Sequence, residues 1–240
     1  MFGSIAPRYD RANHLLSCGL DFYWRKRATE IVAGWCLAKI DDSPPGSSAL
    51  SGRGPSRSPA TCSIVDLATG TGDLALALQK KLPTAEIIGA DFTEEMLAIA
   101  KRKGVRRTMM ADAMRLPLDN SSVDCVTVAF GLRNMEDYGG ALREMARVLK
   151  ANGHLLVLEF SLPTMSILRA VYRFYLHRCL PFLGSFLTRK KSAYSYLGDS
   201  IEQFPNGETM LRLMESSGFA NATAEPLTGG IVTIYTADKL

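Results

Sequence analysis

The chain has 240 residues, 47% hydrophobic and 22% charged, which fits one globular α/β domain or at most two small ones. A net charge of +4 is too mild to argue for a nucleic-acid partner, and no segment reaches the roughly 18 apolar residues that a membrane-spanning helix needs. The five cysteines, Cys18, Cys36, Cys62, Cys125 and Cys179, are scattered without a C-x-x-C pair, so buried free thiols in a reducing compartment are expected rather than a disulfide framework or a zinc site.

Residues 1–40 read as helical, with Trp24, Ala28, Ile31, Val32 and Trp35 at helical spacing and Gly19 as a break. The N-terminus lacks the apolar core of a signal peptide, and the chain opens inside a patterned segment, so a short upstream piece is expected to be missing. Residues 41–60 are rich in Ser, Pro and Gly and read as a flexible linker or surface loop.

From Cys62 the pattern alternates. Strand 62–67 leads through the loop Asp66-Leu67-Ala68-Thr69-Gly70-Thr71-Gly72-Asp73 into a helix at about 73–82. Glycine has no Cβ, so such a loop lets backbone N–H groups approach a ligand closely. Ala75 stands where a third glycine would complete G-x-G-x-x-G, which argues against a dinucleotide cradle. Strand 86–90 ends in Asp91, and Thr93 is the expected N-cap of a helix at 94–103. Strand 107–110 precedes Asp112. Strand 123–129 leads into Phe130-Gly131-Leu132-Arg133-Asn134, a helix follows at 137–149, and Gly153 opens strand 154–160. This rhythm predicts a doubly wound, mostly parallel sheet.

Residues 164–203 break the rhythm. A broad apolar face (Ile167, Leu168, Val171, Tyr172 and their successors) runs beside Arg169, Arg173, Arg178, Arg189, Lys190 and Lys191, with no acid between Glu159 and Asp199. Two roles fit: a core helix pair with a solvated basic face, or an interfacial lid over an apolar substrate. A helix at 207–217 and a β-rich tail, with 230–237 the clearest strand, complete the chain.

Asp66, Asp91 and Asp112 fall at or just beyond the carboxyl ends of successive strands, the edge where open α/β sheets bind ligands. Asp91 follows Thr71 by twenty residues, the interval at which an acid accepts hydrogen bonds from a ribose hydroxyl pair. Asp112 can reach an adenine amino group.

The motifs D-L-A-T-G-T-G-D (66–73), A-D-F-T-E-E-M-L (90–97), A-D-A-M-R-L-P (111–117), F-G-L-R-N (130–134) and L-E-F-S-L-P (158–163), with the start Met1 to Asp10, resemble the ubiquinone/menaquinone biosynthesis C-methyltransferase family of class I S-adenosylmethionine-dependent methyltransferases. The likeness spans nearly the whole chain apart from 41–60, and departs from the family pattern at Thr93, at Ala151-Asn152 and at Ala129, the last beside the cofactor. It implies a Rossmann-like, seven-stranded, doubly wound sheet with helical N-terminal and lid additions. One methyltransferase domain then covers 1–240: an N-terminal cover (1–40), an insertion (41–60), a cofactor-binding core (61–160), a lid and acceptor region (161–205) and a C-terminal helix with strands (206–240).

The same resemblance implies S-adenosyl-L-methionine as cofactor and no metal. Asp66, Thr69, Gly70, Thr71, Gly72, Asp91, Phe92, Asp112, Ala113, Ala129 and Phe130 become the cofactor-binding residues. It implies transfer of a methyl group to a ring carbon of a polyprenyl quinol, demethylmenaquinol first. A benzoquinol, another small-molecule acceptor and a non-catalytic cofactor-binding subunit are the alternatives. Arg133 is the expected stabiliser of a developing phenolate, with an ion pair to a nearby acid as its alternative role; Asn134 would orient the ring, and Tyr9 and Asp10 would close the site or relay a proton. The expected setting is cytoplasmic, in peripheral contact with the inner face of the membrane, where the substrate's isoprenoid tail lies; a homodimer is expected on base rates alone.

Overall fold

The computed structural model describes residues 17, 19–41, 61–180 and 191–240. Tyr9, Asp10 and Cys18, most of the 41–60 insertion and residues 181–190 lie outside the described residues. The elements run α1 (Leu20–Asp41), β1 (Ser63–Leu67), α2 (Asp73–Lys81), β2 (Glu86–Asp91), α3 (Glu94–Lys103), β3 (Arg107–Met110), β4 (Val123–Ala129), a 3-10 turn (Leu132–Asn134), α4 (Tyr138–Val148), β5 (Leu149–Phe160), α5 (Ser166–Phe174, followed by a π turn over Tyr175–Cys179), α6 (Lys191–Gln203), α7 (Glu208–Ser216), β6 (Phe219–Leu227) and β7 (Val232–Lys239).

The strands form one seven-stranded sheet in the order β3-β2-β1-β4-β5-β7-β6, parallel except at β7, which runs antiparallel to both β5 and β6. Strand order reverses between β1 and β4, which opens a crevice at their carboxyl ends. Both sheet faces are covered, so the central strands are apolar on both sides. Leu155 and Val157 of β5 enter one core cluster with α4 and α7; Leu156 and Leu158 enter the other with α1 and α2. In α1, Trp24, Ala28, Val32 and Cys36 recur every fourth residue and are buried on that second face.

Three expectations change. Cys36 and Cys62 are joined in a disulfide, 5.7 Å between Cα atoms, because the last turns of α1 pack on the start of β1. Cys125 and Cys179 are free. Strand β5 begins at Leu149 rather than beside Gly153, since Leu149 already pairs with Val123 and Asn152 takes a left-handed φ of 58° that carries the chain across the irregularity. Thr93 occupies the N-cap of α3 without a side-chain bond; its own N–H donates to Asp91 Oδ1 at 2.9 Å.

Candidate active site

A cleft of about 470 Å³ opens at the β1–β4 switch point. Its floor is the loop after β1. Ala68 (φ 53°), Gly70 (φ 57°) and Gly72 (φ 87°) are all left-handed, which winds the chain tightly into α2. A Cβ added at Gly70 would meet nothing within 4 Å, so this glycine faces open cleft. At Gly72 a Cβ would collide with Val105 at 2.5 Å, so this glycine serves packing and does not line the cleft.

Asp66 is buried at the end of β1. It pairs in register with Thr127 of β4, whose Oγ1 donates to Asp66 Oδ1 at 2.7 Å; Thr69 Oγ1 donates to Oδ2 at 2.6 Å. Burial pushes its carboxyl up to about 6, with the two threonine hydroxyls and the Arg25 charge acting in the other direction. Asp91 ends β2 at the cleft wall. Its Oδ2 accepts from Gly70 N at 2.8 Å, tying the floor loop to the second strand and leaving carboxylate lone pairs toward the cleft. Phe92, 76% exposed, stands beside it as a bare aromatic face. Asp112 and Ala113 line the far wall, where Asp112 Oδ1 accepts from Met114 N at 2.9 Å.

The fourth side is the end of β4. Ala129 and Phe130 line the cleft, and Phe130 (φ 58°) is a second non-glycine residue held in the left-handed region. Gly131 must be small, because a Cβ there would meet Ala68 Cβ at 2.5 Å. Asn134 lines the cleft with its Nδ2 3.5 Å from Phe130 O.

Arg133 turns away. Its Nη1 donates to Glu159 Oε1 at 2.5 Å and to Phe130 O at 2.6 Å, its guanidinium lies 5.3 Å from the Phe160 ring centroid, and it is not among the cleft-lining residues. Glu159 is fully buried. The ion-pair alternative is the arrangement observed: the pair clamps the 130–134 turn to β5 from behind. Arg133 thus stands outside the cleft lining, its charge paired with Glu159 inside the fold.

The model of the ubiE/COQ5 methyltransferase family matches residues 1–239. The chain belongs to that family. Over its full length it is 43% identical to a demethylmenaquinone methyltransferase of Thermus thermophilus, of which it covers 100%. It is 39% identical to a ubiquinone/menaquinone biosynthesis C-methyltransferase UbiE of Geotalea uraniireducens, with 94% of that protein covered. The crystal structure of a SAM-dependent methyltransferase from Thermotoga maritima superposes with a TM-score of 0.57 at 18% identity, covering 100% of this chain and 98% of that one, which shows the shared fold.

The chain is a methyltransferase that uses S-adenosyl-L-methionine. The cleft fits that group. Its volume suits a nucleoside with an amino-acid arm. Two strand-end carboxylates, Asp91 and Asp112, face it as hydrogen-bond acceptors, Gly70 leaves room over the floor, and the lining is rich in acids, as a cationic cofactor requires. Among the described residues no cluster of His, Cys, Asp and Glu could hold a metal ion.

Sequence reasoning left out cleft-lining residues such as Asp73 and Glu136 and, most consequentially, one cation. Arg25, on the second turn of α1, lines the cleft and lies 5.6 Å from the Phe130 ring centroid. The only signal for it was its place after Trp24, whose burial fixes which way Arg25 points.

Proposed function

We propose that this methyltransferase transfers a methyl group from S-adenosyl-L-methionine to a ring carbon of a polyprenyl quinol, converting demethylmenaquinol to menaquinol. The full-length likeness to a demethylmenaquinone methyltransferase carries this reading. The cofactor supplies a methyl group on a positively charged sulfur that departs as a neutral thioether.

The chain's own residues do the rest. Asp91 accepts hydrogen bonds from the ribose hydroxyls, Phe92 covers the adenine, and Asp112 with Ala113 holds its far edge. The loop from Asp66 through Thr69, Gly70 and Thr71, wound by Gly72 beneath it, receives the amino-acid arm and the sulfur end, and Ala129 and Phe130 close the inner wall. The Glu159–Arg133 pair fixes the 130–134 turn, which aims the Asn134 amide at the quinol hydroxyl next to the reacting carbon. Removing that hydroxyl's proton makes the ring carbon nucleophilic; Asp10 and Tyr9 are the proton-relay and closure residues of this proposal. Residues 161–205 form the acceptor lid.

The lid also explains how the enzyme reaches a lipid-borne ring. Among the described residues no helix is long and apolar enough to cross a membrane. On α5, Ile167, Val171 and Phe174 are 75%, 61% and 63% exposed and share one face; Arg173 flanks it, paired with Glu202 at 2.9 Å, and Arg169 lies on the other side, its Nε donating to Pro163 O at 2.7 Å. We assign this stripe to contact with the inner face of the membrane. Vesicles with anionic lipid should co-sediment the protein at low salt, and Phe174→Ser should weaken that by about fivefold or more; equal recovery of both proteins would exclude the stripe.

The reaction is tested with purified enzyme and two short-tailed quinols, a demethylated naphthoquinol and a demethylated benzoquinol, following methyl incorporation by mass. The expected preference is at least about tenfold in kcat/KM for the naphthoquinol. A reversed preference would move the enzyme to ubiquinone synthesis, and no methylation of either ring would overturn the proposal.

A further inference from the structure

The cleft is electrostatically lopsided. Among the described residues its lining contains five carboxylates, Asp66, Asp73, Asp91, Asp112 and Glu136, and a single cation, Arg25. S-adenosyl-L-methionine presents a sulfonium and an ammonium, which such a cleft welcomes. It also presents a carboxylate, which the same acids repel. That carboxylate needs a positive partner, and the cleft offers one.

Arg25 is built for the task. Its side chain is only 16% exposed, in a position where a charge pair is weakly screened. Nη1 bonds Asp21 Oδ2 one turn back, and Nη2 stands 3.7 Å from Asp73 Oδ2. Asp21 in turn accepts from Ser17 Oγ at 2.7 Å, so the guanidinium hangs from a fixed support. Five N–H donors serve these two partners, which leaves donors for a bidentate carboxylate. Asp73 opens α2, so the amino end of that helix adds its partial positive charge at the same place. Lys103 reaches Thr71 Oγ1 at 3.2 Å and pairs with Asp73 from outside the cleft lining.

We infer that Arg25 grips the carboxylate of the cofactor's amino-acid arm, which makes α1, a helix outside the strand–loop core, part of the cofactor site. This rests on the cofactor occupying the β1–β4 cleft as proposed above. Arg25 is then a positioning residue: it sets how far the arm, and with it the sulfur, sits along the floor loop.

The experiment compares two ligands that share the adenosine and the thioether. S-adenosylhomocysteine carries the amino-acid arm; 5′-methylthioadenosine does not. Calorimetric titration should show Arg25→Gln weakening S-adenosylhomocysteine by about 10- to 100-fold while 5′-methylthioadenosine changes by less than about twofold, with Arg25→Lys intermediate for the first ligand. Equal losses for both ligands would mean that Arg25 only holds α1 in place, and no loss for either would remove it from the site; each result overturns the inference. Asp91→Asn is the control and should weaken both ligands. If it weakens neither, the placement of the cofactor in this cleft has failed, and the inference falls with it.

Discussion

Strands β1 and β4 each carry one buried aspartate that reaches across to a hydroxyl on the other strand, at opposite ends of the sheet. Asp66 meets Thr127 at the carboxyl end; Asp124 meets Ser63 at the amino end, where its Oδ2 accepts from both Ser63 N and Oγ at 2.9 Å. There the likeness stops. Burial pushes Asp124 up as it does Asp66, but Lys150 at 2.8 Å, Lys39 and Ser63 together outweigh burial and draw it down to about 2. Asp66 is held by the hydroxyls of Thr69 and Thr127 and the backbone of Ala75, with no lysine against it, and stays near 6. The same side chain on paired strands is thus neutralised by the fold at one edge and left wanting a cation at the other. The second edge lines the cleft in which the proposed function places a positively charged cofactor.

The contrast can be broken from either end. The largest effect belongs to Asp124→Ala, which strands Ser63 and two lysines and should cost about 3 kcal/mol at pH 7 in denaturant unfolding. A folded-state carboxyl held below its ordinary value stabilises above that value, so the gap between wild type and variant should shrink as pH falls from about 4 toward about 2. A gap constant over that range would deny the pairing any electrostatic content.

Next comes Cys36→Ser. Its disulfide closes a 26-residue separation at the same edge, and its loss should cost about 2 kcal/mol without reductant. Dithiothreitol should bring wild type down to the variant; a wild-type midpoint indifferent to reductant would show that the bond does not form in solution.

At the opposite edge the sign reverses. Asp66→Asn should raise stability by about 1 kcal/mol at pH 7 while weakening S-adenosyl-L-methionine binding. A carboxyl raised in the folded state favours folding below its unfolded value and loses that contribution as pH climbs through about 6. The variant's advantage should therefore be absent near pH 4, grow to about pH 6 and level off. An Asp66→Asn protein less stable than wild type at pH 7 would refute the reading. The smallest change is Thr93→Ala, expected below about 0.5 kcal/mol because this N-cap hydroxyl makes no capping bond, against the roughly 1 kcal/mol of a working cap.

Much of this was legible in the residues. Runs such as Leu155 to Leu158, apolar on every position, report strands covered on both faces, and Asp91 and Asp112 follow directly from strand ends. What stayed hidden depends on contacts remote in sequence. Arg133 reads as a site cation until Glu159, 26 residues on, takes it inward; a lone acid ending an apolar strand was the available clue. Arg25 needed the packing of α1 to be known before its direction could be. Cys36 and Cys62 carry no spacing signal, since only the meeting of a helix end with a strand start makes them neighbours.

The bond between Cys36 and Cys62 bears on the history of the segment it encloses. Residues 37–61 lie between the two cysteines, within the span that the family model matches. With both boundaries held 5.7 Å apart by the crosslink, the intervening stretch is relieved of any duty to bring α1 and β1 together, and its length and composition can drift without disturbing either. A crosslink of this kind makes the stretch it encloses a tolerant graft site: a peptide spliced there, or a protease nick between the cysteines, would leave the methyltransferase one covalent molecule.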